Sequence, residues 1–327
     1  LNGNFFGGIA LTTMMKKVLF LDTTHPLLPV SLEQHGFICD HLLQSSREEV
    51  AERIHEYEGI VIRSRIPIDA QLLERARSLR FIARVGAGME NIDHPYALSR
   101  GIVCLNAPEG NRDAVGEHAV GMLLALMNHL IRCDREVRQG LWKREPNRGT
   151  ELMGKTVALI GYGNTGSAFA RKLSGFDVRT IAFDKYKKGY SDSYVRESDM
   201  NEVFREADIL SLHIPLTTET DHLVNADYLS RFSKPIMLIN TSRGRNVCTA
   251  ELVDALESGK VSGAALDVLE YERSSLEALQ PGTFPAPLRA LFESPHVILS
   301  PHVAGWTHES LVKLASVLVG KILALYP

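Results

Sequence analysis

Residues 157–184 read VALIGYGNTGSAFARKLSGFDVRTIAFD, and the fold turns on this stretch. Val157, Ala158, Leu159 and Ile160 form a short unbroken apolar run, the pattern of a strand covered on both faces. The run stops at Gly161, and Gly161, Gly163 and Gly166 spell G-x-G-x-x-G. Residues 167–173 carry apolar side chains at helical spacing until Ser174-Gly175 ends them. Residues 178–183 read as a second strand, with Asp184 at its carboxyl end, 23 positions beyond Gly161. Strand, glycine turn, helix, strand and acid in this order make the dinucleotide-binding fingerprint. Gly161 permits the tight turn, Gly163 lets backbone approach a pyrophosphate, and Gly166 lets the helix lie close to the strands. The amides of Asn164 and Thr165 open a helix whose partly positive end favours an anion. Asp184 is placed to accept hydrogen bonds from ribose hydroxyls and to repel a 2′-phosphate, which selects NAD over NADP. Lys185 beside it weakens that preference slightly.

The bulk composition is that of a globular protein. Its 327 residues suffice for two domains, each with its own core. Lys plus Arg number 36 and Asp plus Glu 39, a net charge of −3, so no electrostatic argument favours nucleic acid or an anionic membrane. Cys39, Cys104, Cys133 and Cys248 are widely spaced, with neither a C-x-x-C pair nor a His cluster. No metal site and no disulfide framework is therefore expected, and a reducing cytoplasm fits. Asp22 and Pro26 interrupt the first apolar segment, so no membrane span is expected. Residues 1–13 lack the basic start of a signal peptide and read as a leader outside the fold.

Outward from the fingerprint, strands alternate with helices, which argues parallel sheets covered on both faces. Strands are expected over residues 17–22, 59–63, 80–85 and 101–105, with a helical region over 31–43 and a helix over 70–76. Residues 114–133, AVGEHAVGMLLALMNHLIRC, predict one apolar helix buried between domains or subunits, with His118 as a satisfied core histidine. Past Asp184, strands are expected over 207–213, 236–240, 261–266 and 297–299, and a closing amphipathic helix over 309–325. Residues 274–295 are proline-rich and predict an irregular, movable loop.

The strand ends carry the chemistry, because ligands of open α/β sheets sit at the carboxyl edge. The loops there begin at His213-Ile214-Pro215, at Thr241-Ser242-Arg243, at Asp267 and at Pro301-His302. Moving a hydride between a nicotinamide and a carbonyl requires an acid or base for the oxygen, and His302 is suited to it. A carboxylate on the other ring nitrogen favours the imidazolium, a part open to Glu272. Arg243 can hold a substrate carboxylate through two parallel bonds.

The ordered motifs ARVGAGMENID (83–93), NAPEGNRDAVGEHAVGMLL (106–124), GYGNTG (161–166), LHIPLT (212–217), INTSRG (239–244), GAALDVLEYE (263–272) and SPHVAGW (300–306) span most of the chain. In them the chain resembles the NAD-dependent D-2-hydroxyacid dehydrogenase family, which includes D-lactate, glycerate and D-3-phosphoglycerate dehydrogenases. The resemblance implies two doubly wound α/β domains. One is a Rossmann NAD-binding domain over 109–305; the other is a discontinuous flavodoxin-like substrate domain over 14–108 and 306–327. It implies Arg243, Glu272 and His302 as catalytic residues, Gly86, Ala87 and Gly88 as the cradle of the substrate carboxylate, and Thr241 and Asp267 beside the nicotinamide. His213 and Pro215 join the cofactor-binding set, a small anionic 2-hydroxy or 2-oxo acid is the partner, and a homodimer through the nucleotide domain is expected. In the phosphoglycerate-oxidising branch, arginines matching Arg63 and Arg84 contact the phosphate. That predicts a substrate with a second anionic group, unless either pairs with Glu90 or Asp93. Arg273 stands where the family usually has proline after the catalytic glutamate, and feedback control by a further domain after Pro327 is not expected. The same resemblance covers NADH-sensing corepressors, the non-enzymatic alternative. Another Rossmann enzyme such as a methyltransferase fits Arg243, Glu272 and His302 poorly.

Overall fold

The computed structural model describes residues 16–272 and 284–327. The chain divides into two units. The first takes residues up to 85, Met89–Asn106 and Leu318–Pro327, and the second takes Gly86–Gly88 and Ala107–Val317.

The first unit contains β1 (Lys16–Phe20), α1 (Leu27–Gln34), β2 (Phe37–His41), α2 (Arg47–Arg53), β3 (Gly59–Ile62), α3 (Ala70–Arg75), β4 (Phe81–Arg84), α4 (His94–Ser99) and β5 (Val103–Leu105). Its five strands are parallel in the order β2-β1-β3-β4-β5, the flavodoxin-like winding. Val18, Leu19 and Phe20 are fully buried, as a strand with helices on both faces requires. The short helices have defined starts. Ser46 and Glu49 form a reciprocal capping box on α2, and Asp69 caps α3 while its carboxylate holds Arg47. The helical region expected over residues 31–43 is a correction: the helix ends at Gln34, and Gly36, at φ +81°, turns the chain into β2. Tyr326 seals this unit. Its ring meets Phe37 edge-on at 5.1 Å, Lys16 and Arg80 lie over it, and its hydroxyl donates to Glu58 at 3.1 Å.

The second unit contains α5 (Pro108–Met127), α6 (Leu130–Arg138), β6 (Thr156–Ile160), α7 (Asn164–Leu173), β7 (Arg179–Phe183), β8 (Arg196–Glu197), α8 (Met200–Glu206), β9 (Ile209–Leu212), α9 (Ala226–Ser230), β10 (Ile236–Asn240), α10 (Thr249–Glu257), β11 (Val261–Leu266), α11 (Ala286–Glu293), β12 (Val297–Leu299) and α12 (His308–Leu323). Only part of α12 belongs here, since residues from Leu318 onward group with the first unit. The seven-stranded sheet runs β12-β11-β10-β9-β6-β7-β8, all parallel. Counted from β6, this is the Rossmann order with one strand added. Alternation along β6 divides its side chains between two cores. Val157 and Leu159 join a cluster with α5 and α7, while Ala158 and Ile160 join one with α8, α9 and α10.

The apolar stretch over residues 114–133 is not one helix. α5 stops at Asn128, His129 takes φ +53°, and α6 restarts at an angle of 61°. α5 packs closely on α7 because Gly116 leaves room: a Cβ there would stand 3.1 Å from the backbone of Ala168 and Phe169. Among the described residues, no single helix is long and apolar enough to cross a membrane. Part of the loop expected over 274–295 is the helix α11, which starts behind Pro285; residues 274–283 lie outside the described residues.

Candidate active site

β6 delivers the chain to Gly161, at φ +93°, where a Cβ would collide with the His213 carbonyl at 2.5 Å. A Cβ on Gly166 would meet the Gly161 carbonyl at 2.3 Å, so the start of α7 rests directly on the turn. A Cβ on Gly163 would meet nothing within 4 Å: this glycine faces open space at the amino end of α7, where Asn164 and Thr165 present their amides. Asp184 closes the cradle, 9% exposed, accepting from the amides of Tyr162 (2.9 Å), Tyr186 (3.0 Å) and Lys187 (3.0 Å). Burial pushes its carboxyl up, but those three amides and the Lys187 charge outweigh burial and hold it below the usual range. The cradle therefore fits a dinucleotide, with a fixed anion at the ribose end. Replacing Asp184 by alanine should narrow the gap between NADH and NADPH affinity about tenfold, measured by nicotinamide fluorescence. A wild type that already prefers NADPH would contradict this role.

The imidazole of His213 is buried beneath the strand end. It packs beside Phe169 and shares a 2.9 Å hydrogen bond with the Ser211 hydroxyl, and burial pushes it down to about 3. It is the His213 carbonyl that shapes the glycine turn. Pro215 is exposed, and its carbonyl accepts from Thr220 at 2.7 Å.

The catalytic candidates occupy loops at the carboxyl ends of β10, β11 and β12. Asn240, 1% exposed, builds the first loop: its side chain donates to the Arg243 carbonyl at 2.9 Å and accepts from the Ser242 amide and hydroxyl. Thr241 lies within that turn, its hydroxyl oxygen buried. The Arg243 guanidinium donates back to the Ser242 carbonyl at 2.6 Å. Gly244 is pressed on the next loop, because a Cβ there would fall 1.9 Å from the Leu269 carbonyl oxygen. Three residues further on, Glu272 accepts from the Leu269 amide through one oxygen and contacts His302 Nδ1 at 2.7 Å through the other. With Nδ1 held by the carboxylate, Nε2 is the ring nitrogen left to face a substrate oxygen.

His302 itself sits at φ +54°, a left-handed conformation that costs a non-glycine residue energy and needs support from its surroundings. Asp267 supplies the support. Its carbonyl accepts from the His302 amide at 2.7 Å, and its carboxylate accepts from the Val303 and Ala304 amides at 2.9 Å and from the Ser300 hydroxyl at 2.6 Å. His118 is more than a core histidine, since its Nε2 lies 2.9 Å from Ser300 Oγ and 3.5 Å from Asp267 Oδ1. Asn240 and Ser300 escape a reading of chemistry from sequence, although an Asn closing an apolar strand is a turn-forming signal.

In the first unit, Arg84 ends β4, and its register partner Ile62 immediately precedes Arg63 at the edge of β3. Asp22 accepts from the Arg63 amide at 2.6 Å, and Asn91 donates to its carbonyl at 3.2 Å. Burial holds the Arg63 guanidinium below its ordinary range, with Asp22 partly offsetting it. Gly86, Ala87 and Gly88 follow Arg84 and group with the second unit, where the Gly86 carbonyl accepts from the Ala107 amide at 2.8 Å.

Comparison with known proteins agrees with this geometry. Residues 120–304 match the model of the D-isomer specific 2-hydroxyacid dehydrogenase NAD-binding domain. A hydroxypyruvate reductase of Thermotoga maritima is 33% identical over 302 residues, covering 92% of this chain and 94% of that protein. A D-3-phosphoglycerate dehydrogenase of Archaeoglobus fulgidus is 33% identical over 293 residues, covering 89% of this chain; the chain spans only 54% of that longer protein. The D-lactate dehydrogenase of Aquifex aeolicus, solved with NAD and lactic acid, superposes with a TM-score of 0.81 at 25% identity, over 95% of each chain. The chain thus belongs to the D-isomer specific 2-hydroxyacid dehydrogenase family, whose cofactor is NAD.

Proposed function

We propose that this chain interconverts a D-2-hydroxy acid and its 2-oxo acid, with His302 as acid and base, Glu272 as its charge partner and Arg243 as the clamp on the substrate carboxylate. The observation that carries the reading is the 2.7 Å contact between Glu272 and His302 Nδ1 at the carboxyl edge of a dinucleotide-binding sheet. Bound NAD supplies the hydride acceptor for oxidation and, reduced, the donor for the reverse. His302 Nε2 takes the hydroxyl proton in one direction and returns it in the other, while the Glu272 carboxylate stabilises the imidazolium between. Arg243 orients the acid by parallel N–H donors and polarises the neighbouring carbonyl. Titration with NADH followed by a panel of 2-oxo acids tests this directly. Tight binding without turnover of any acid would favour a sensor instead.

For the substrate, Arg63 and Arg84 at adjacent strand edges support an acid bearing a second anionic group, such as 3-phosphoglycerate. Charge-assisted contacts are typically worth about 1.5 to 3 kcal/mol, so Arg63→Ala should cut kcat/KM for 3-phosphoglycerate by about tenfold or more and spare glycerate. Equal efficiency on both acids, unmoved by the substitution, would leave a neutral-tailed hydroxy acid as substrate. A homodimer is supported by the apolar surface on α6 and the segment after it, where Ile131, Val137, Trp142 and Met153 are all more than half exposed. Light scattering on the purified protein tests it. The four cysteines are free, which suits a reducing cytoplasm.

A further inference from the structure

The buried carboxylate of Asp267 has a protonatable neighbour. Ser300 Oγ has one proton and gives it to Asp267 Oδ1 at 2.6 Å, so the 2.9 Å contact with His118 must be an imidazole Nε2–H donating to that oxygen. This fixes the neutral tautomer of His118. A second proton, on Nδ1, turns it into a cation 3.5 Å from Oδ1 of a carboxylate that is 1% exposed. His118 itself is 28% exposed, open enough to exchange protons with water. Of the other charges on this stretch of α5, Asp113 pairs with Arg171 of α7 and Lys313 of α12, and Glu117 with Lys172 of α7. On the loops beside β11 and β12, the Glu272 carboxylate is engaged with His302.

Strand order gives this pair a consequence. The glycine turn follows β6 and Asp184 follows β7, so the adenosine half of a dinucleotide lies toward β7. The nicotinamide half must then run the other way, over the ends of β9, β10 and β11, toward Asp267. The oxidised ring carries a positive charge that the reduced ring lacks. An uncompensated carboxylate at this end of the sheet favours NAD⁺, and a cation beside it cancels the preference.

We propose that His118 is a proton-controlled charge partner of Asp267 that sets which redox form of the cofactor the domain holds. Neutral His118 favours NAD⁺; protonated His118 shifts the balance to NADH. The inference rests on the dehydrogenase reading and makes His118 a positioning residue for charge rather than a catalytic one. The test is the ratio Kd(NAD⁺)/Kd(NADH) between about pH 5.5 and about pH 8.5, a range that spans histidine titration. It is measured by NADH fluorescence and NAD⁺ displacement, in a His302→Gln background that removes the imidazole assigned to proton transfer. The ratio should rise roughly threefold or more toward acid pH. It should become flat in His302→Gln/His118→Gln, whose amide still donates to Ser300. It should stay at its acid value across the range in His302→Gln/His118→Lys, a permanent cation. A flat ratio in the His302→Gln background, or an unchanged slope in the His118→Gln double variant, overturns the inference alone. Failure of either nucleotide to bind the wild type overturns the reading of the domain, and the inference with it.

Discussion

His302→Ala should lower kcat by about 10²- to 10⁴-fold, the usual contribution of a placed acid or base, while NADH affinity stays within about twofold. The split follows from geometry. His302 sits after β12 on a turn organised by Asp267, whereas the phosphate-binding cradle is built by Gly161, Gly163 and Gly166 after β6, with β11, β10 and β9 between the two strands. Stopped-flow reduction of a 2-oxo acid, paired with NADH titration, separates the two quantities. Arg243→Ala should behave alike, with the loss appearing in both kcat and KM because the clamp acts before and during the transition state. Glu272→Gln is the subtler variant: it keeps a hydrogen-bonding side chain opposite Nδ1 and removes the charge that favours the imidazolium. Reduction should then decline at lower pH than in the wild type. Wild-type kcat in His302→Ala would remove the histidine from the chemistry altogether.

Gly244→Ala should disable the enzyme through a single methyl group. The added carbon would sit 1.9 Å from the Leu269 carbonyl oxygen and 2.6 Å from the Glu270 amide nitrogen, both backbone atoms that cannot rotate aside. Either the Arg243 turn or the Leu269–Glu272 segment must move, and each carries a catalytic candidate. Overpacking of this kind typically costs about 1 to 3 kcal/mol of stability, and an ångström of misplacement can cost about 10² in rate. Thermal unfolding and kcat/KM should therefore fall together, with kcat/KM falling further. An alanine variant with unaltered melting temperature and turnover would mean that the two loops are not in contact in solution.

The central strands of both parallel sheets are legible in the sequence as short, mostly apolar runs bounded by polar or turn residues. β10 and β11 match their expected limits, and β6 differs by one residue. Edge strands are harder to read. β2 has only Phe37 fully buried, so its pattern blends with the apolar spacing of the helix before it. β8 is two residues long and charged. α11 is hidden by its prolines, which mark a loop in a composition reading but are accommodated in the first turn of a helix, where the missing N–H has no partner to lose. The break between α5 and α6 depends on His129 adopting a left-handed conformation, which no hydrophobic periodicity reports. At the candidate site, the residue types at strand ends pointed to Arg243, Glu272 and His302. The network of Asn240, Asp267 and Ser300 that builds their loops is made mostly of side chain to backbone bonds, which only the folded chain reveals.

Tyr326 imposes an order on biogenesis. The aromatic ring that covers Phe37 and Phe81 and accepts Lys16 and Arg80 on its faces is translated after the entire second unit. A nascent chain leaving the ribosome can complete the nucleotide-binding sheet while the earlier-made sheet still lacks Leu318–Pro327. Until then the apolar surface around Phe37 and Phe81 lacks its cover, so maturation of the amino-terminal sheet waits on emergence of Leu318–Pro327 rather than of the first strands.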